Sequence, residues 1–162
     1  MESFTFYQGF ASKIGAMHEK RLTTRLINYW ERLKKEEPLP HYRWWNPSSI
    51  NDIWPNCVTI IATSSQNNKN YKYEYVGSKV EGAWGTDVTG EILTDSGNHI
   101  FRGANIVTKL DQISDAHTPL IDNGKFINDK NKVVKYRSCL LPFGSKKDGV
   151  THVVIGLSWK DF

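Results

Sequence analysis

The chain is short of the features that mark special classes of protein. Its 162 residues hold two cysteines, two methionines and six prolines. No apolar run approaches the roughly 20 residues that a membrane-spanning helix needs. The N-terminus, Met1-Glu2-Ser3-Phe4-Thr5-Phe6-Tyr7-Gln8, lacks the basic-then-apolar order of a signal peptide, so cytoplasmic residence is expected. Cys57 and Cys139 have no CxxC spacing and sit in apolar, strand-like surroundings, which argues for buried thiols rather than a disulfide or a metal pair. The net charge of +4 is mildly basic, yet the basic residues are scattered apart from Lys20-Arg21, Lys34-Lys35 and Lys146-Lys147. Nucleic-acid binding needs a concentrated stripe, and this distribution does not favour it.

Catalytic words are missing as well. His18-Glu19 is not followed by the second histidine of a zinc-protease helix, and Gly144-Ser145-Lys146-Lys147 lacks the upstream glycine of a phosphate loop. No serine lies in a nucleophile elbow. Asp87, Asp95, Asp111 and Asp115 are carboxylates without a fixed partner, as caps and solvated charges are. Two alternatives to a non-catalytic module remain: a small α+β enzyme with a buried acid–base pair, and a basic accessory protein that binds nucleic acid.

What is present is a pattern of short elements, and it fits one domain that buries roughly 70% of its unfolded surface. Residues 1–13 carry Phe4, Phe6, Tyr7 and Phe10 without periodicity and read as an arm. Residues 14–56 form an N-terminal helix and connector. From Ile14 to Glu37 the apolar positions Leu22, Leu26, Trp30 and Leu33 recur at helical steps, which predicts a helix of roughly 35 Å ended by Pro38 and Pro40. Asn46 is the expected N-cap and Pro47 the first residue of a short helix through Trp54. Residues 57–162 form the core. Cys57–Thr63 is a β-branched strand, Ser64–Asn70 a polar hairpin loop, and Tyr71–Val76 a strand whose three tyrosines share one face. Gly77, Gly82, Gly85 and Gly90 then break the chain into short turns. A helix capped by Asp95 or Ser96 follows, with Ile100, Ala104, Val107, Leu110 and Ile113 on one side. Three strands close the chain: Leu120–Ile127, with a bend or bulge at Asp122-Asn123-Gly124, then Lys132–Phe143 and Val150–Trp159. The expected fold is α+β, with one antiparallel sheet covered on one face.

Strand, strand, helical crossover and three strands is the order of the PAS sensory fold. The chain resembles a bacterial single-PAS family that carries a long N-terminal helix and a proline-bounded connector. The resemblance rests on Tyr29-Trp30, Leu39-Pro40, Arg43, Asn46-Pro47 with Ile50, Trp54-Pro55, Tyr75-Val76-Gly77, Gly85-Thr86-Asp87-Val88-Thr89-Gly90, Leu141-Pro142 and Gly149, across residues 20–159. Asn46-Pro47 stands where an Asp-Pro pair is more usual, and Trp44, Trp45 and Trp54 add bulk. The resemblance implies a five-stranded antiparallel sheet with helices on one face. It also implies a free-standing module that passes its state on by touching another protein, as a small-molecule sensor, a protein-interaction adaptor or both; a homodimer would come from the helix stripe pairing with a second copy.

Within that frame the expected ligand-binding residues are Tyr75, Trp84, Phe101, Arg102, Tyr136 and Trp159, an aromatic pocket in which Arg102 holds an anionic group. The alternative is that these rings fill the core and Arg102 is solvated. The cofactor is unknown. Haem would need an imidazole such as His99 or His117, as in some PAS relatives. No cysteine lies in a recognisable light-sensing motif, so a flavin photoadduct is not expected. Leu22, Leu26, Trp30 and Leu33 form the expected partner interface, with packing on the chain's own sheet as the equal alternative.

Overall fold

The computed structural model describes residues 3–6, 21–65, 68–84, 88–94, 105–127 and 130–161. Among the described residues six strands form one antiparallel sheet: β1 (Ser3–Phe6), β2 (Cys57–Ser65), β3 (Asn68–Val76), β4 (Leu120–Ile127), β5 (Val133–Ser145) and β6 (Gly149–Asp161). Their spatial order is β1-β4-β5-β6-β2-β3. The five strands expected are all present, and the sixth is the start of the N-terminal arm, which pairs with β4. Strand β4 runs unbroken through Asp122-Asn123-Gly124, so the expected bend does not form.

Cross-strand register fixes which side chains share a face, because successive residues alternate. Val153, Ile155, Leu157 and Trp159 of β6 line up with Pro142, Leu140, Ser138 and Tyr136 of β5 on what we call the inner face. His152, Val154, Gly156 and Ser158 pair with Phe143, Leu141, Cys139 and Arg137 on the outer face. Helices α2 (Ser78–Trp84) and α3 (Ile106–Ala116) lie on the inner side, whereas α1 (Leu22–Lys34) packs on β5 and β6 from the outer side. The sheet is therefore covered on both faces, not on one. The sequence pattern could not separate these cases, since a helix stripe says that a face is buried but not against which layer.

Helix α1 is 13 residues long, about 20 Å at 1.5 Å per residue, and ends at Lys35, whose φ of 54° leaves the helical region before the prolines are reached. The expected extension over residues 14–20 lies outside the described residues. Leu26 and Trp30 are fully buried, with Leu22 and Leu33 packed partly against the same core. Of the two packings open to this stripe, the one formed is on the chain's own sheet. Gly156 makes it possible: a Cβ there would stand 2.1 Å from Leu26 Cδ1, so the bare backbone lets α1 approach. Cys57 and Cys139 flank Gly156 in the register, and both are free and buried. Burial pushes both thiols up, Cys139 to about 12, so neither is a thiolate at neutral pH.

The connector forms three 3₁₀ turns, Tyr42–Trp44, Pro47–Ile50 and Trp54–Asn56, instead of one helix to Trp54. Asn46 caps the second as expected, its Oδ1 accepting the Ser48 N–H at 3.1 Å. Aromatic rings fasten this connector to the outer face. Trp45 meets Phe143 edge-on at 5.2 Å and Tyr29 at 5.2 Å, while Tyr42 stacks on His152 at 4.0 Å. Arg25 holds both Asp52 oxygens, at 2.7 and 3.0 Å, tying α1 to the connector.

Between β3 and α2, Gly77 donates its N–H to Cys57 O at 2.8 Å. A Cβ on Gly77 would lie 2.2 Å from Pro55 O, a backbone atom that cannot rotate away. We expect Gly77→Ala to cost about 1–3 kcal/mol of stability, as overpacking does. Urea melts check this, and a variant within 0.5 kcal/mol of the wild type, on the order of a neutral surface substitution, would contradict the close approach. The segment after α2 returns along the free edge of β3. Tyr73 N–H donates to Glu91 O at 3.0 Å and Leu93 N–H to Tyr71 O at 2.8 Å, which protects an edge otherwise open to pairing.

Candidate functional site

The inner face gathers its aromatic residues at one end. Tyr136 and Trp159 are direct cross-strand partners, and Gly124 is the partner of Tyr136 on β4. A Cβ at Gly124 would fall 2.4 Å from Tyr136 Oη, so the absent side chain is the space over which the tyrosine ring lies. Phe126, two residues further along β4, completes the wall. Trp84, the last residue of α2, is set down in the middle. It stacks on Phe126 at 5.0 Å and meets Trp159 edge-on at 4.9 Å and Tyr136 edge-on at 6.5 Å. Phe126, Tyr136 and Trp159 are half-buried, while Trp84 is 8% exposed.

Most of the cluster is hydrocarbon, but it contains one polar anomaly. The Trp84 Nε1–H is buried and finds no acceptor among the described residues. A buried donor without an acceptor is costly, on the order of 1–3 kcal/mol, and native folds tend to keep one only where something else satisfies it.

Two polar contacts hold α3 against the same face. Lys109 Nζ lies 2.9 Å from Asp122 Oδ2 on β4, with both side chains 4% exposed. At the other edge, Tyr71 of β3 donates its hydroxyl to Asp111 Oδ1 at 2.5 Å, and its oxygen lies 3.4 Å from Ser114 Oγ. Burial and the nearby Asp111 carboxylate push the Tyr71 hydroxyl well above its ordinary range, so it stays protonated and remains a donor. The helix is thus tied both to β4 and to β3, on opposite sides of the sheet, and its Leu110 and Ile113 are buried.

Of the six residues expected to bind a ligand, Trp84, Tyr136 and Trp159 come together. Tyr75 does not join them. A register shift between Thr59 and Ile60 leaves Glu74 without a cross-strand partner, so Tyr71 and Tyr73 point inward while Tyr75 pairs with Thr59 on the outer face. There it stacks flat on Trp54, with centroids 4.4 Å apart and planes 5° from parallel. The three tyrosines therefore do not share a face; one inserted residue reverses every later side chain. Phe101, Arg102 and His99 lie outside the described residues. His117 adopts φ 56° and closes the C-terminus of α3 by donating its N–H to Ile113 O. Sequence reasoning missed Phe126, because the supposed bend at Asp122-Asn123-Gly124 hid the alternation that gives Leu120, Asp122, Gly124 and Phe126 one face. It also missed the pairing of Lys109 with Asp122, since no sequence spacing joins a helix to a strand 13 residues later.

Comparison with known proteins adds the family. A family model for the PAS domain matches residues 18–158. No curated protein matches the chain. Among solved structures the chain is similar to one described as an RNA-binding light-oxygen-voltage receptor, at 11% identity and a TM-score of 0.49, over 98% of this chain and 38% of that one. The chain thus spans well under half of that receptor's length. Among the described residues no helix is long and apolar enough to cross a membrane. A match of 141 of 162 residues (158 − 18 + 1) agrees with the core strand order β4-β5-β6-β2-β3 and with helices on the inner face, and this chain belongs to the PAS domain family of sensory and regulatory modules.

Proposed function

We propose that the chain is a non-catalytic, cytoplasmic sensor whose inner face takes a planar small molecule, and that occupancy is passed to a signalling partner. The observation that supports this best is the Trp84 indole N–H, buried among rings and without an acceptor among the described residues. A flat ligand carrying a carbonyl or ring nitrogen would supply that acceptor while stacking on Trp84, Tyr136, Trp159 and Phe126. Phe101 and Arg102 belong to the proposed site on the sequence argument alone, Arg102 as the holder of an anionic group.

Occupancy would act through α2. Trp84 is its last residue and Gly77 sits against the Pro55 carbonyl at its start, so a shift of the indole is felt at the connector. A ligand preferring one position of Trp84 changes the population of connector arrangements that a partner meets. A homodimer would have to use surface other than the stripe of Leu22, Leu26, Trp30 and Leu33, which faces the chain's own sheet.

Native mass spectrometry of protein exposed to cell extract should reveal a retained small molecule, and that molecule should raise the melting temperature. Trp84→Phe keeps the ring and removes the donor. It should weaken binding about tenfold, as loss of a buried hydrogen bond does. A ligand that binds Trp84→Phe as tightly as the wild type would remove the indole from the site. Absence of any retained or stabilising ligand would leave only an adaptor role.

A further inference from the structure

The connector crosses the outer face, and its first turn covers an ionisable side chain. Pro40 O accepts the Gly144 N–H at 2.9 Å, and the Asn46 N–H donates to the Tyr29 hydroxyl at 3.3 Å, so residues 41–45 bridge two fixed points. Trp45 is buried at one end of this bridge, while Trp44 is 55% exposed. The Tyr42 ring lies flat on the His152 imidazole, with centroids 4.0 Å apart and planes 5° from parallel. It also meets Phe143, the cross-strand partner of His152, edge-on at 5.7 Å. Tyr42 thus seals one face of the imidazole and leaves the side chain 23% exposed.

The polar contacts of His152 suit the neutral ring. Nδ1 lies 2.9 Å from Thr151 Oγ1, and Nε2 lies 4.0 Å from Glu74 Oε2 on β3. A proton on Nε2 faces that carboxylate and leaves Nδ1 to accept the Thr151 hydroxyl. A second proton, on Nδ1, sets two donors against each other until Thr151 turns its own towards Phe143 O, a weak contact at 3.5 Å. The surrounding charges do not offset this. From the connector the imidazole is faced by Tyr42, whose hydroxyl burial raises, so it is uncharged near neutral pH. His41 and Arg43 flank Tyr42 in sequence, and Arg43 lies over the Trp44 ring. From β3 it is faced by Glu74, with Lys72 two residues earlier, while β5 and β2 set Phe143 and Ile61 beside it. Glu74 is 39% exposed and beyond hydrogen-bonding distance, so it attracts an imidazolium only weakly. Burial outweighs that attraction and holds His152 below its ordinary value of 6.5.

We propose that His152 is a proton-operated latch on the turn Tyr42–Trp44: neutral, it holds Tyr42 against the sheet; protonated, it releases the ring, and the turn carrying Arg43 and the exposed Trp44 leaves the sheet. An open turn lets His152 titrate near 6.5, whereas the closed turn keeps it neutral to lower pH. Closure is therefore at full strength above that value and weakens as pH falls below it. The open-to-closed ratio rises by up to about tenfold per pH unit, the limit for one proton. The latch rests on the connector alone and stands whether or not the inner face binds a ligand.

An NMR titration of the isotope-labelled full chain between about pH 8 and pH 5, the range in which histidine changes charge, tests this. The His152 Cε1–H resonance should titrate with a midpoint below 6.5, and the Tyr42 ring protons and the amides of residues 41–45 should move at that same midpoint. His152→Phe keeps a flat, uncharged ring under Tyr42 and should leave those amides still over the whole range. Glu74→Gln removes the nearby carboxylate and should lower the midpoint further. His41→Gln should keep the response, and its loss there would move the proton to His41 and overturn the latch. A His152 midpoint at or above 6.5, Tyr42 protons that do not follow it, or unchanged amide movement in His152→Phe would overturn it equally. Should His152→Phe fail to fold, the coincidence of the His152 and Tyr42 midpoints in the wild type decides.

Discussion

Asp122→Ala should lower the unfolding free energy by about 3–5 kcal/mol, the range seen when one partner of a buried ion pair is removed. Lys109 and Asp122 are both 4% exposed and 2.9 Å apart, so truncating the aspartate takes its carboxylate away from a buried ammonium group under α3. Desolvation, not lost attraction, dominates that cost, and the double variant Lys109→Met with Asp122→Leu separates the two. Apolar replacement of a whole buried pair is often neutral, or stabilising by about 1–4 kcal/mol, so the double variant should recover most of the loss. Chemical denaturation of the four proteins gives the cycle. A single-variant loss under about 1 kcal/mol would mean that the pair is solvated, because that is what exposed pairs contribute. The double variant also bears on the inner face. If α3 keeps its place through Leu110, Ile113 and the hydrogen bond of Tyr71 to Asp111, any ligand bound there should be retained.

Trp30→Ala should cost a similar amount, about 3–5 kcal/mol, for a different reason. The indole is 2% exposed between α1 and the sheet, and its Nε1–H donates to Pro142 O at 2.6 Å. Removing it opens a cavity and leaves a buried carbonyl without its partner. Trp30→Phe keeps most of the apolar volume and loses the hydrogen bond, so it should cost less, on the order of 1–3 kcal/mol. Because α1 covers the outer face, local loosening should appear in hydrogen exchange at α1 and the connector before the central strands. Equal protection of α1 in Trp30→Ala and wild type would show that the helix is held by something other than this anchor.

Local pattern carried the sequence a long way here. The β-branched run Cys57–Thr63, the alternating Val153, Ile155, Leu157 and Trp159, and the Asn46-Pro47 cap each specify their own conformation from residues within a few positions. Their order then restricted the topology to an antiparallel sheet with a helical crossover, and the PAS resemblance follows from that order. Trp159 shares the alternation of Val153, Ile155 and Leu157, and that phase sets its ring beside Tyr136 and Trp84 on the inner face.

What the chain's local words could not contain is whatever depends on a neighbour distant in sequence. The bulge opposite Thr59 and Ile60 is set by how β3 meets β2, and that one extra residue sent Tyr75 to the outer face. Lys109 reads as a helix-surface lysine until β4 brings Asp122 beneath it. Lys125, Lys135 and Lys160 look scattered along the chain and become a row only when three strands lie side by side. Periodicity of 2 or 3.6 residues tells each element which side is apolar, and so the sequence determined the elements and their order. Register, layer and partner are decided by contacts between elements, where single insertions reverse faces and separate charges converge, and only the tertiary structure could settle those.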